Sequence, residues 1–278
     1  MNKMTDFNLE DLQQFLTLYN KVHPIDIYKS YQIIKNTIYY YKRSQNYNSN
    51  LVYPKCLVEK WYNELKNNNI DYSVYDDDYY FTDLWACWHL FSKLYIRNLT
   101  KKDSLKKNVS IYSYLKNINT VLDLGCGIGY TTAYLKLLFK NAEVYGTNLK
   151  GTKQYKFCES IGKKYNFNIV EDISAINKEI DFIFASEYFE HIEFATEHLK
   201  DIIEKLKPRY CYIANSFNTY SVGHFESYKY HNGFLISNYN QTEMSKIFNK
   251  ILRSSNYRKV KTKLWNDRPT LWEKCNLG

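Results

Sequence analysis

Val121-Leu-Asp-Leu-Gly-Cys-Gly-Ile-Gly129 is the stretch on which the fold turns. Its apolar start reads as a buried strand, and its glycines at 125, 127 and 129 lead directly into a helix-length segment. Glycine lets the backbone bend sharply and lets a ligand approach without a Cβ in the way. Open α/β sheets bind their ligands at such a first strand-to-helix junction. The G-x-G-x-G spacing, with Asp123 two positions upstream, differs from the G-x-G-x-x-G dinucleotide fingerprint.

Working outward, short β-branched or apolar runs alternate with helix-length segments, which is the grammar of a parallel sheet. The expected strands are 120–124, 143–147, 168–170, 180–185 and 210–214. The helices between them are expected at 130–140, 152–165 and 190–206, the last ended by Pro208. Asn240-Gln-Thr-Glu243 resembles a capping box opening a helix to about residue 253. Strands at 258–264 and 270–274, joined by Trp265-Asn-Asp-Arg-Pro269, predict an antiparallel edge.

Residues 1–118 read as helical, with Pro24 and Pro54 each suited to a first turn. Between 81 and 95, Leu84, Trp88, Phe91 and Tyr95 fall at three-to-four spacing, predicting an amphipathic helix. Polar breaks at 46–50 and 67–78 separate the helices. The expected organisation is a helical region over 1–118 and a second domain over 119–278.

The chain has 278 residues, 45% hydrophobic and 24% charged, enough for one large core or one core with an appendage. No run approaches the ~18 apolar residues of a membrane span, and the acidic N-terminus lacks a signal-peptide core. A soluble, cytoplasmic protein with no membrane partner is the expectation. Six cysteines show neither C-x-x-C nor metal-type spacing and read as reduced thiols. The net charge of +9 is uneven: residues 1–118 carry +4, 119–245 carry −2 and 246–278 carry +7. A solvated Lys-rich face and a phosphate-binding patch both fit that excess.

The glycine stretch resembles the first motif of class I S-adenosylmethionine (SAM)-dependent methyltransferases. The resemblance covers about 119–278 and implies an α/β, Rossmann-like, seven-stranded, mostly parallel sheet with helices on both faces. It also implies that Asp123, Gly125, Gly127 and Gly129 surround the methionyl part of SAM. The second strand of that family usually ends in an acidic residue that holds the ribose hydroxyls, and here Asn148 stands there. An amide can accept one hydrogen bond and donate another, but carries no charge. Asp172 stands where members often place a carboxylate near the adenine, with a helix cap or a solvated loop carboxylate as the alternative.

After the fourth strand, Glu187, Glu190 and His191 form E-x-x-E-H. This resembles a metal-binding pattern of ubiquinone-type phenol O-methyltransferases and of small-RNA 3′-end methyltransferases. Two carboxylates and an imidazole suit Mg²⁺ or Mn²⁺, and such a metal can deprotonate an acceptor hydroxyl. His191 as a metal-free base or orienting group, and a structural role, stand beside that reading. The segment 215–233 is expected to be a loop beside the cleft, with His224 or His231 as a fourth ligand or its aromatics as a lid.

The function implied is methyl transfer from SAM to an oxygen or nitrogen nucleophile. A nucleic acid or nucleotide acceptor draws on the basic C-terminal end and on Trp265, Arg268 and Trp272. A small-molecule acceptor draws on the aromatic segment with Trp85 and Trp88. A non-catalytic, repurposed SAM-fold protein draws on Asn148. Ser186-Glu-Tyr-Phe189 replaces the N-P-P-Y type tetrapeptide of amino-directed DNA methyltransferases.

Overall fold

The computed structural model describes residues 55–77, 80, 92, 96–263 and 269–275. Apart from Ser92, the expected helix 81–95 with Trp85, Trp88, Phe91 and Tyr95 lies outside the described residues, as do Pro24, Pro54, Trp265 and Arg268. The helices bounded within the described residues are α1 (Lys55–Lys66), the single turn α2 (Ile111–Tyr114), α3 (Tyr130–Leu138), α4 (Lys153–Tyr165), α5 (Ala195–Leu206) and α6 (Gln241–Ser254). The strands are β1 (Thr120–Leu124), β2 (Glu143–Thr147), β3 (Asn168–Val170), β4 (Phe182–Ser186), β5 (Tyr210–Ala214), β6 (Ser227–Asn232), β7 (Leu235–Asn240), β8 (Tyr257–Val260) and β9 (Thr270–Lys274).

Seven strands form one sheet in the order β3-β2-β1-β4-β5-β9-β8. β1 to β5 are parallel, and β9 runs antiparallel to both β5 and β8. The chain moves from β1 towards β2 and β3 and then returns to lay β4 on the other side. That reversal opens a crevice at the carboxyl ends of β1 and β4.

The period-two alternation of the strands sorts the core into two layers. Leu122, Leu124, Ile183, Ala185, Ile213 and Trp272 pack in one layer with α1, α5 and α6, while Val121, Val144, Phe182, Phe184 and Tyr212 pack in the other with α3 and α4. Both faces of the central strands are therefore covered, as their nearly continuous apolar sequences require.

The helix expected from residue 190 is interrupted. A 3-10 turn spans Phe189–His191, and α5 begins only at Ala195. The Glu190 carbonyl instead accepts from the Phe225 N–H and the Tyr228 hydroxyl, both at 3.4 Å. A second departure lies downstream, where β6 and β7 form a separate two-stranded hairpin. α6 carries the expected capping box, with Asn240 Oδ1 accepting from Glu243 N–H and Glu243 Oε2 from Asn240 N–H, each at 2.9 Å. No helix among the described residues is long and apolar enough to cross a membrane.

Candidate functional site

The first half of the crevice is built from backbone. Gly125, Gly127 and Gly129 all have positive φ, at 67°, 54° and 91°. Thr147 at the end of β2 secures this loop: its Oγ1 accepts from Gly125 N–H and its carbonyl from Cys126 N–H, both at 2.9 Å. α3 starts at Gly129 with no side chain capping its first turn, so its leading N–H groups are not taken by a cap. A Cβ on Gly127 would meet only Gln154 Oε1, at 3.7 Å. The loop at this point is a cradle with room beside it.

Asp123 is 2% exposed and turned away from that cradle, its Oδ2 accepting from Thr132 Oγ1 at 2.6 Å. Burial pushes its carboxyl up to about 7, with the Thr132 bond pulling partly back. It ties β1 to α3 and so fixes the loop from below. Asn148 uses both ends of its amide on the chain itself: Nδ2 donates to the Gly127 carbonyl and Oδ1 accepts from Leu149 N–H at 2.9 Å. Asp172 caps the 3-10 turn Ile173–Ala175 by accepting from Ser174 N–H at 2.8 Å, and that bond holds its carboxyl below the usual range.

Tyr188 was not legible as a site residue. A Cβ on Gly125 would run into its ring, so the ring lies directly on the glycine loop. Its hydroxyl bonds His198 Nε2 at 2.8 Å. Glu187, immediately before it, holds a left-handed φ of 51°, an uncommon backbone for a side chain with a Cβ.

The second half of the crevice is made of side chains. Glu187, Glu190 and His224 bring donor atoms within 4.8 Å of one another. Ser216 straps the two carboxylates, donating its N–H to Glu190 Oε1 at 2.8 Å and its hydroxyl to Glu187 Oε1 at 3.1 Å. The Glu190 side chain is completely buried. His224 Nδ1 lies 2.9 Å from the Thr219 carbonyl. Since a carbonyl only accepts, Nδ1 carries the proton and Nε2 keeps a lone pair.

His191 stands beside this group, its ring edge-on to His224 at 4.7 Å and its Nδ1 bonded to the Tyr75 hydroxyl at 2.9 Å. Burial and the neighbouring His224 hold His191 down to about 3, and burial holds His224 down to about 4. Both rings are neutral at physiological pH. Gly223, at φ 82°, makes room for this pair, because a Cβ there would overlap both the Tyr75 hydroxyl and His191.

The segment before the sheet closes over this half. Trp61 Nε1 on α1 donates to the His224 carbonyl at 2.7 Å, and Tyr62 stacks on Tyr220 at 3.9 Å. Asp76 accepts from Lys153 N–H at 2.9 Å, which ties the 72–76 turn to α4. His231, the other histidine considered as a ligand, lies on the hairpin against Glu197 and stacks on Phe194.

Residues 89–248 match a family described as methyltransferase domain. Among solved structures, the N-terminal domain of EvdMO1 with SAH bound aligns with a TM-score of 0.42 and 10% identity over 75% of this chain and 86% of that one. An O-methyltransferase family protein from Burkholderia thailandensis aligns at 0.49 and 9%, over 73% and 61%. The mitomycin 7-O-methyltransferase MmcR aligns at 0.46 and 8%, over 89% and 68%. No curated protein is recognisably similar in sequence.

Proposed function

Because the chain belongs to the methyltransferase-domain family, we propose that it transfers the methyl group of SAM to an oxygen or nitrogen nucleophile of a small acceptor. The observation that carries the acceptor class is the roof over the second half of the crevice: Trp61 and Tyr75 bond directly to the His224 carbonyl and to His191. A site closed in this way, and lined by aromatic rings, suits a compact acceptor better than a polymer strand. We read residues 55–77 as part of that cover.

Methyl transfer is an in-line displacement, so the protein's task is to position two reactants and manage one proton. The glycine loop, held by Thr147 and Asn148, would receive the cofactor, and the Gly127 cradle fits it. Glu187, Glu190 and His224 would hold a divalent cation such as Mg²⁺ or Mn²⁺, and their donor set is the chemistry such ions take. Fixing a ligand imidazole through its other nitrogen, as Thr219 does for His224, is the usual supporting arrangement at metal sites. A bound cation would supply acidification of an acceptor hydroxyl. Histidines held at about 3 and about 4 are weak bases at neutral pH, which favours a lone-pair donor role for His224 over general-base work.

Calorimetric titration with SAM and with S-adenosylhomocysteine, each with and without Mg²⁺ or Mn²⁺, tests this reading. Micromolar binding is expected, with a heat that changes on adding metal and stops changing in Glu190→Gln. Absence of binding under every condition would sink the cofactor assignment, and an unchanged heat would sink the metal.

A nucleic acid or nucleotide acceptor is the second reading, favoured by the exposed cations Lys246, Lys250, Arg253 and Lys259. Oligonucleotide binding that weakens steeply with salt, together with methylation of the bound strand, would replace the small acceptor.

A further inference from the structure

Several polar side chains around the glycine loop are engaged in holding the chain itself. Thr147 and Asn148 bond the loop, Asp123 bonds Thr132, and Asp172 caps the turn after β3. Gln154 differs. It is half-buried on the first turn of α4, and neither end of its carboxamide bonds another group among the described residues.

The turn that carries it is held from two sides. Thr152 Oγ1 donates to the Leu149 carbonyl at 2.7 Å and accepts from Tyr155 N–H at 3.1 Å, while Asp76 Oδ1 accepts from Lys153 N–H at 2.9 Å. Gln154 is thus set in place before any ligand arrives. Gly127 stands opposite. Outside the glycine's chain neighbours, Gln154 Oε1 is the one described atom within 4 Å of where a Gly127 Cβ would be, at 3.7 Å. Asn148 bonds the carbonyl of the same glycine. A molecule seated against Gly127 therefore meets the Gln154 amide as its wall.

The donors and acceptors of that amide say which part of a ligand it suits. SAM carries an ammonium that only donates, a carboxylate that only accepts, and two ribose hydroxyls that do both. The charged ends gain most from charge-assisted bonds. A carboxamide has no charge but donates and accepts at once, which matches neighbouring hydroxyls. The adenine edge is neutral too, but a base is held best against an aromatic face. Among the described residues no ring comes within 4 Å of that place. We propose that Gln154 is a cofactor-binding residue whose carboxamide holds the ribose hydroxyls of SAM, a role that Asn148 does not fill because both ends of its amide are bonded to the chain. The assignment rests on the SAM reading above.

The test is calorimetric titration of the full chain, wild type and Gln154→Ala, with S-adenosylhomocysteine and with its analogue lacking both ribose hydroxyls. Gln154→Ala is expected to weaken S-adenosylhomocysteine binding by roughly tenfold. Its unfolding temperature should not change, because the amide bonds nothing in the chain. Removing the hydroxyls is expected to cost the wild type a similar factor and the variant little, since the bond is already gone. Equal affinity of wild type and variant for S-adenosylhomocysteine overturns Gln154 as a cofactor ligand and leaves the SAM reading standing. Hydroxyl removal that costs the variant as much as the wild type overturns the ribose assignment. No binding of S-adenosylhomocysteine by the wild type overturns both the proposal and the reading beneath it.

Discussion

The glycine loop closes on partners nearby in sequence, Gly125 on Thr147 across 22 positions and Asn148 on Gly127 across 21. The cluster beyond β4 closes on distant ones, Tyr75 with His191 across 116 positions and Trp61 with His224 across 163. The first half is thus a local construction of backbone torsions and short hydrogen bonds. The second half is a long-range construction, assembled only when the segment before the sheet docks on the chain after β5. A glycine substitution in each half should separate them most strongly. Gly127→Ala places its Cβ in open space and costs the left-handed strain alone, about 1 to 2 kcal/mol. Gly223→Ala adds an overlap with Tyr75 and His191 to similar strain, about 4 kcal/mol in all. Thermal unfolding compares the two, and equal losses would mean that the roof is not packed as described.

That division also explains what could be read from the sequence. β1, β2, β3, β5 and β9 match their expected ranges, because buried strands between glycine and polar breaks announce both their ends. The capping box of α6 was equally plain, since its signal lies within four residues. The β6–β7 hairpin was hidden. Its strands Ser-Tyr-Lys-Tyr-His-Asn and Leu-Ile-Ser-Asn-Tyr-Asn carry the polar and aromatic residues of a lid loop, and their pairing rests on tertiary contacts. Tyr188 was hidden for another reason: nothing local says that a residue after β4 will lie on the loop after β1. Asp123 and Asn148 were legible as members of the loop, but their use of Thr132 and Gly127 as partners needed coordinates.

Acid titration distinguishes the halves by sign. His191 and His224 bind protons near 6.5 when unfolded but only near 3 and 4 when folded, so the unfolded chain gains protons first and stability falls as pH drops below 6.5. From pH 7 to pH 5 each loses about 2 kcal/mol. Asp123 works oppositely. Its folded value is about 7 against 3.8 when unfolded, so the folded chain holds the proton between these values and stability rises on acidification, by about 2 kcal/mol over the same interval. The wild-type protein should therefore lose on the order of 1 to 2 kcal/mol, and Asp123→Asn should steepen the loss to about 4 kcal/mol. Urea unfolding at the two pH values measures it. A flatter profile in the variant would reverse the sign assigned to the buried carboxyl.

A smaller effect is expected where the two halves touch. The Tyr188 ring comes from the β4 side and rests on Gly125 of the loop that is proposed to receive the cofactor. Tyr188→Ala should tighten S-adenosylhomocysteine binding by roughly tenfold, equivalent to about 1.4 kcal/mol. Weaker calorimetric binding would make the ring a supporting wall of the cofactor site.

The smallest expected change tests how the loop uses its neutral residue. Asn148 donates to the Gly127 carbonyl, something a carboxylate cannot do, and accepts from Leu149 N–H, something a carboxylate does well. Asn148→Asp keeps the second bond and sets an anionic oxygen against the Gly127 carbonyl. The loop should lose about 1 kcal/mol of stability, because one short local bond is exchanged for a repulsion that side-chain rotation relieves. The same rotation would turn the carboxylate towards the crevice, where two oxygens can accept from a diol. Lower unfolding temperature combined with equal or tighter S-adenosylhomocysteine binding is therefore the expected pair of results. An unchanged unfolding temperature would show that the amide's bonds contribute nothing to holding the loop, and the contrast between a locally secured half and a remotely secured half would then rest on Thr147 alone.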